Sequence, residues 1–80
     1  MTTTEKLYNS FAESLNIELG KVNDELGYQS IVQWDSISHM VLISSIEETF
    51  DVSLETDDVI DMSSVGKAKE ILIKYGISFS

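Results

Sequence analysis

The chain has 80 residues, 42% of them hydrophobic, with no cysteine and a formal net charge of −9. That length predicts one small domain spanning 1–80, and the hydrophobic share separates it from disordered chains. The missing cysteines exclude a disulfide frame, a thiolate nucleophile and a zinc ribbon, which points to a cytoplasmic protein.

Met1-Thr2-Thr3-Thr4-Glu5 has neither the basic start nor the apolar core of a signal peptide. No apolar run approaches the roughly 18 residues of a membrane helix. The charge is unevenly spread. Lys6 and Lys21 come early, Lys67, Lys69 and Lys74 come late, and no basic residue lies between Val22 and Gly66. In that interval Asp24, Glu25, Asp35, Glu47, Glu48, Asp51, Glu55, Asp57, Asp58 and Asp61 supply ten negative charges. Such a surface repels nucleic acid and anionic membrane, and it attracts basic protein faces or divalent cations. Like charges crowded on so small a surface should also weaken the fold at low salt.

Thr2 followed by Glu5 fits a capping box, so the first helix is expected to start at Thr3. Leu7, Tyr8, Phe11, Ala12 and Leu15 recur at one-turn spacing and give it one apolar face ending near Asn16. Residues 17–34 have no sustained period. Gly20 and Gly27 interrupt any helix there, and Leu19, Val22, Leu26, Ile31, Val32 and Trp34 read as scattered anchors of a packed loop. From Asp35 to Phe50 the helical signal is strongest. Leu42, Ile43, Ile46 and Phe50 form its core stripe, while Ile37 and Val41 fall on the opposite side with Ser44 and Glu48.

Asp51–Glu55 is a short connection with Val52 and Leu54 turned inward. Thr56 is placed to cap a short third helix that carries Asp57 and Asp58 in its first turn, with Val59, Ile60 and Met62 facing the core. Ser63 or Ser64 caps a last helix built on Val65, Ala68, Leu72 and Tyr75. Gly76 suits the left-handed position that ends it, with Ile77 folding back onto Leu72. The expected fold is therefore all-α: a four-helix bundle with a short third helix and a long loop between helices 1 and 2.

The residues offer little catalytic chemistry. There is one histidine, His39, and no arginine. His39 projects toward the core side and away from Ser36, as a satisfied and partly buried histidine would. Asp57, Asp58 and Asp61 lack the spacing of a calcium loop and read as a solvated acidic face with no metal site. Ser36 can be a helix cap, a nucleophile or an attachment point. Asp35 can cap the helix alone, which leaves the Ser36 hydroxyl facing outward in the first turn. There the helix-start amides favour an anion such as a phosphodiester. A hydroxyl, an anion site, exposed Ile37 and Val41, and acids around them describe a modified carrier. Two other classes stay open: an unmodified acidic helical adaptor for a basic protein, and a small hydrolase using Ser36 and His39.

Asp35-Ser36-Ile37 resembles the Asp-Ser-Leu attachment motif of acyl carrier proteins. Ile46-Glu47-Glu48-Thr49-Phe50 is similar to the Leu-Glu-Glu-x-Phe that closes their second helix. Leu54 and the acids through Asp61 match the acidic third segment, and Ser64-Val65 matches the opening of the fourth helix. Leu26-Gly27-Tyr28, Ser30-Ile31 and Trp34-Asp35-Ser36 are similar to the pre-helix loop of stand-alone carriers. The resemblance covers nearly the whole chain.

This resemblance implies a non-enzymatic, monomeric carrier. A phosphopantetheinyl transferase, using coenzyme A and magnesium, would attach 4'-phosphopantetheine to Ser36, with Asp35 supporting the motif. The terminal thiol of that arm would hold the cargo as a thioester. Ile37, Val41, Glu47 and Glu48 would meet partner enzymes carrying basic docking patches, the enzymes that load and use the acyl group. Gln33-Trp34 stands where the fatty-acid-synthesis carriers have Gly-Ala, and Val41 and Ser44 replace their acid and methionine. The Gly-Gly-x-Ser of peptidyl carriers is absent. The Trp-Asp-Ser-Ile-x-His pattern is more similar to carriers of polyketide, modified-lipid or surface-polysaccharide pathways, with an aminoacyl carrier of the D-alanyl type as an alternative.

Overall fold

Thr2 opens the first helix as its spacing to Glu5 requires. The Glu5 amide donates to Thr2 Oγ1 at 3.1 Å, and the Thr2 amide donates back to Glu5 Oε1 at 3.4 Å. The computed structural model describes residues 2–79. It contains α1 (Thr3–Leu15), a short 3-10 turn (Leu19–Lys21), α2 (Ser36–Phe50), α3 (Thr56–Asp61) and α4 (Val65–Lys74). Among the described residues there is no strand, only an isolated antiparallel bridge between Gly27 and Ser64.

The helix ends follow local chemistry. Asn16 (φ 55) and Asp51 (φ 53) close α1 and α2 in the left-handed conformation that Asn and Asp tolerate. Gly76 (φ 91) turns the chain after α4, and the Ile77 amide returns to the Leu72 carbonyl at 3.1 Å, as expected from the sequence. Ser64 caps α4, accepting from the Lys67 amide at 3.0 Å. Thr56 does not cap α3. Glu55 occupies that position with no side-chain bond, and Thr56 is already the first helical residue.

Leu7, Phe11 and Leu15 of α1 pack against Leu42, Ile43 and Ile46 of α2, with Val65, Ala68, Ile71 and Leu72 of α4 and Met62 completing the buried core. The long connection adds Val22 and Trp34, both buried, and half-buried Leu26 and Ile31. Leu19 and Val32 are not anchors: Val32 is 90% exposed and Leu19 about half exposed. What holds the loop between them is backbone pairing. The Tyr28 amide donates to the Ser63 carbonyl (2.9 Å), and the Val65 and Gly66 amides donate to the Leu26 and Asp24 carbonyls (3.0 Å each). These loop carbonyls satisfy amides at the start of α4 that have no partner inside the helix. Gly66 permits that approach, since a Cβ there would lie 3.1 Å from the Asp24 carbonyl oxygen.

α3 has only six residues, and its seat is largely polar. Ile60, expected to face the core, is 76% exposed, and Asp58, expected on a solvated acidic face, is buried. Asp58 accepts from Lys74 Nζ at 2.6 Å and from the Tyr75 hydroxyl. That hydroxyl in turn accepts from the Glu55 amide at 3.0 Å. Lys67 pairs with Asp61 at 3.3 Å, and Lys69 pairs with Asp24 at 2.8 Å while also reaching the Tyr8 hydroxyl. The three late lysines therefore each neutralise one acid of the central run and tie α4 to α3 or to the loop.

The Lys74 and Tyr75 hydrogen bonds hold the Asp58 carboxyl below the ordinary carboxylate range. Its bonds to Lys74 and Tyr75 hold those two groups above their own ordinary values. The cluster is thus expected to stabilise the fold across neutral pH. The Asp58 share is lost as pH falls through about 4 toward the lower native value, and the Lys74 and Tyr75 shares fade as pH rises past about 10. Asp58→Asn should melt several degrees lower than wild type at pH 7 and show a shallower loss of stability in acid, both read by circular dichroism. The remaining central acids lack such partners among the lysines. The melting temperature of the unmodified chain should therefore rise by a few degrees with added salt or millimolar magnesium, and an unchanged value would contradict a role for acid repulsion.

Candidate functional site

Trp34 ends the long connection and is completely buried, its ring edge-on to Phe11 at 5.2 Å. The next residue, Asp35, adopts extended backbone (φ −106, ψ −174) and caps α2, its Oδ1 accepting from the Ser38 amide at 2.8 Å. Ser36 follows as the first helical residue, exposed, with its hydroxyl unbonded to protein among the described residues. Asp35 does serve as the cap, so Ser36 does not have to.

The Ser38 amide, helped by the Ser38 hydroxyl and the Ile37 amide, holds the Asp35 carboxyl below the ordinary range. It is therefore a fixed negative charge beside the Ser36 hydroxyl. An anionic group on Ser36 would share the helix-start amides with it. Among the described residues no cluster of three or more carboxylate or histidine groups is suited to hold a metal ion resident in the chain.

His39 lies one turn below Ser36 and turns inward, as the helical wheel predicts. Nδ1 accepts from the Trp34 indole Nε1–H at 2.9 Å, and Nε2 lies 2.8 Å from the Val59 carbonyl oxygen. Both ring nitrogens are engaged, so the ring is not free to take a proton from Ser36. The Ser36–His39 hydrolase reading loses its base.

Ile37 and Val41 are exposed, at 76% and 52%. Two further apolar residues share this end of the molecule. Met40 is 60% exposed on α2, one turn from Ile37, and exposed Ile60 of α3 lines a shallow hollow with Tyr28, His39, Met62 and Ser63. The sequence reading leaves Met40 unassigned and turns Ile60 toward the core. The three-residue step from Ile37 to Met40 was available as a signal, but six residues of α3 give too short a period to place Ile60. The two acids of the motif's helix differ in role. Glu48 is exposed, whereas Glu47 is half-buried and its Oε2 accepts from the Leu54 amide at 2.8 Å, which fixes the turn from α2 to α3.

Over 74 residues the chain is 30% identical to an acyl carrier protein of Lactobacillus johnsonii, a match covering 88% of this chain and 92% of that protein. It is 25% identical over 68 residues to an acyl carrier protein of Prochlorococcus marinus, covering 85% of each. No family model matches the chain.

Removing the Asp35 cap tests the local geometry. Asp35→Ala should lower the melting temperature by a few degrees, while Asp35→Asn, a comparable cap, should stay close to wild type at neutral pH. The carboxylate's contribution is full above about pH 4 and lost as pH falls through its depressed native value, so both variants should lack that part of the acid transition. Equal melting of Ala and wild type would rule out the cap as a stabilising contact.

Proposed function

Because the chain belongs to the acyl carrier protein family, we propose that Ser36 is the residue that takes a 4'-phosphopantetheine arm and that the chain presents cargo on it to partner enzymes. It is a carrier and not an enzyme. The observation that carries the assignment is the exposed Ser36 hydroxyl at the first turn of a helix already capped by Asp35. When attached, the arm supplies the thiol for a thioester, which the cysteine-free chain lacks.

The roles of the chain's own residues follow from their places. Ser36 offers its oxygen to the transferase, and Asp35 holds the turn and keeps a charge where the transferase's magnesium can meet it. Ile37, Met40 and Val41 form an apolar strip along α2 that a partner enzyme can cover. Exposed Glu48 at the far end of the helix meets basic residues of that partner, chiefly speeding encounter and discriminating among partners. Glu47 contributes indirectly, by fixing the α2–α3 turn. Gln33 and Trp34, together with Val41 and Ser44, depart from the fatty-acid-synthesis pattern. They support a dedicated carrier of a polyketide, modified-lipid or surface-polysaccharide pathway. The same reading makes the chain a monomeric carrier of the cytoplasm. Among the described residues no helix is long and apolar enough to cross a membrane.

Incubation with coenzyme A, magnesium and a broad-specificity transferase should add the mass of one phosphopantetheine to wild type and none to Ser36→Ala. No gain on wild type, or a gain that persists in Ser36→Ala, would sink the assignment. The two acids should also separate. Glu48→Lys, which relieves acid repulsion, is expected to keep or slightly raise the melting temperature and to slow association with a loading enzyme severalfold at low salt, whereas Glu47→Lys should destabilise the fold.

A further inference from the structure

We infer that His39 is a positioning residue, a clamp that couples the turn carrying Ser36 to the seat of α3. The functional half of this inference rests on Ser36 being the modified serine; the mechanical half does not.

The ring's partners determine its tautomer. An indole Nε1–H can only donate, so His39 Nδ1, 2.9 Å from it, must offer a lone pair. A neutral imidazole then carries its hydrogen on Nε2, which donates to the Val59 carbonyl at 2.8 Å. That carbonyl needs a partner. Val59 lies in the last turn of a six-residue helix, where carbonyls have no intrahelical donor, and α3 has no basic residue in that turn. The following Ser63 amide is committed to Asp61. His39 therefore supplies from α2 the C-terminal cap that α3 lacks.

The same ring also closes a loop around the serine. The Trp34–His39 bond spans Asp35, Ser36, Ile37 and Ser38, and the Asp35–Ser38 cap lies inside that span. Ser36 is thus in a turn pinned twice. The imidazole cannot swing independently, because it lies nearly parallel to the Trp34 ring (20°, centroids 6.0 Å apart) and meets the edge of Tyr28 at 5.4 Å. Tyr28 is also edge-on to Trp34 at 6.2 Å, and Trp34 itself is immobilised in the core. A shift of the end of α3 must either break the Val59 bond or pull on the ring, and the ring transmits the pull to Trp34 and the start of α2. Asp58 and Asp61 hold α3 to α4, and His39 ties it to the Ser36 end of α2.

Two conservative substitutions divide the clamp. His39→Asn keeps an oxygen near the Nδ1 position for the Trp34 indole but does not reach Val59. His39→Gln places an amide N–H near the Nε2 position and loses the acceptor for Trp34. Trp34→Phe removes the indole donor and leaves His39 only its Val59 partner.

Nuclear magnetic resonance reads each end: Trp34 gives the chain's one indole N–H signal, and amide exchange reports on the end of α3. Coupling predicts that losing either grip is felt at both ends. In His39→Gln the amides at the end of α3 exchange about fivefold faster although the Val59 bond is retained, and in His39→Asn the Ser36 and Ser38 amide signals shift although the indole bond is retained. If each variant disturbs only the end it touches, the clamp is refuted. If Trp34→Phe does not fold, the two His39 variants still decide.

With transferase, coenzyme A and magnesium, both His39 variants should lose about fivefold in kcat/KM, carried by KM, because a looser turn is set only on binding. Wild-type kcat/KM in both refutes the functional half. No modification of wild type at all refutes the Ser36 assignment, and the exchange measurements then judge the clamp alone.

Discussion

A buried indole must place its N–H, and the rest of the site depends on where this one goes. Trp34 fills the core at the end of a long irregular connection, completely shielded from water. An unpaired donor there would cost about 1–3 kcal/mol, a large share of the stability of so small a domain. The acceptor is His39 Nδ1. That choice fixes the imidazole tautomer, directs the remaining N–H to Val59 and seats the end of α3. The register of Trp34 against His39 also fixes the backbone between them, which contains the Asp35 cap and Ser36. One hydrogen bond thus orders the delivery of the chain into α2.

Charge organises the opposite side of the molecule. The late lysines are spaced along α4 so that each meets a different acid: Lys67 with Asp61, Lys69 with Asp24, Lys74 with Asp58. Exposed pairs of this kind contribute little individually. Asp58 is different because it is buried under Tyr75 and has two donors, so it behaves as a structural joint. The pairing consumes acids at the α3–α4 seam and at the loop, while Glu48 on α2 keeps its charge in solvent. Acids engaged by the fold and acids facing solvent thus alternate within what the sequence runs together as one acidic stretch.

What the sequence disclosed follows from how much periodicity each segment possesses. α1 and α2 run for 13 and 15 residues, enough turns for Leu7, Phe11 and Leu15, or Leu42, Ile43 and Ile46, to declare a face. Their caps, Thr2 with Glu5 and Asp35, use local bonds visible at fixed spacing. The family motif around Ser36 was equally plain. α3 covers fewer than two turns, so Ile60 and Asp58 could not be sorted by angle, and their positions depend on Tyr75 and Lys74, which lie 14 or more residues away. Leu19 and Val32 are apolar and so read as inward loop residues, yet both stand exposed. Backbone pairing of residues 24–28 with 63–66 holds the loop instead, and no side chain announces it. Glu47 reads like Glu48 until the Leu54 amide is seen to claim it.

The contrast between Ser36 and its surroundings also explains why the chain suits a carrier. A catalytic serine needs a base with a free nitrogen and donors aimed at a developing charge. Here the neighbouring histidine spends both nitrogens on the fold, and the Ser38 amide at the helix start is held by Asp35. The same bonds that remove catalytic capacity make the turn rigid. A turn already held in place would cost little ordering entropy when another molecule binds there, and Ile37, Met40 and Val41 stand exposed on the same helix. In a molecule whose role is to be acted upon, His39 is more useful as a structural tie than as a base.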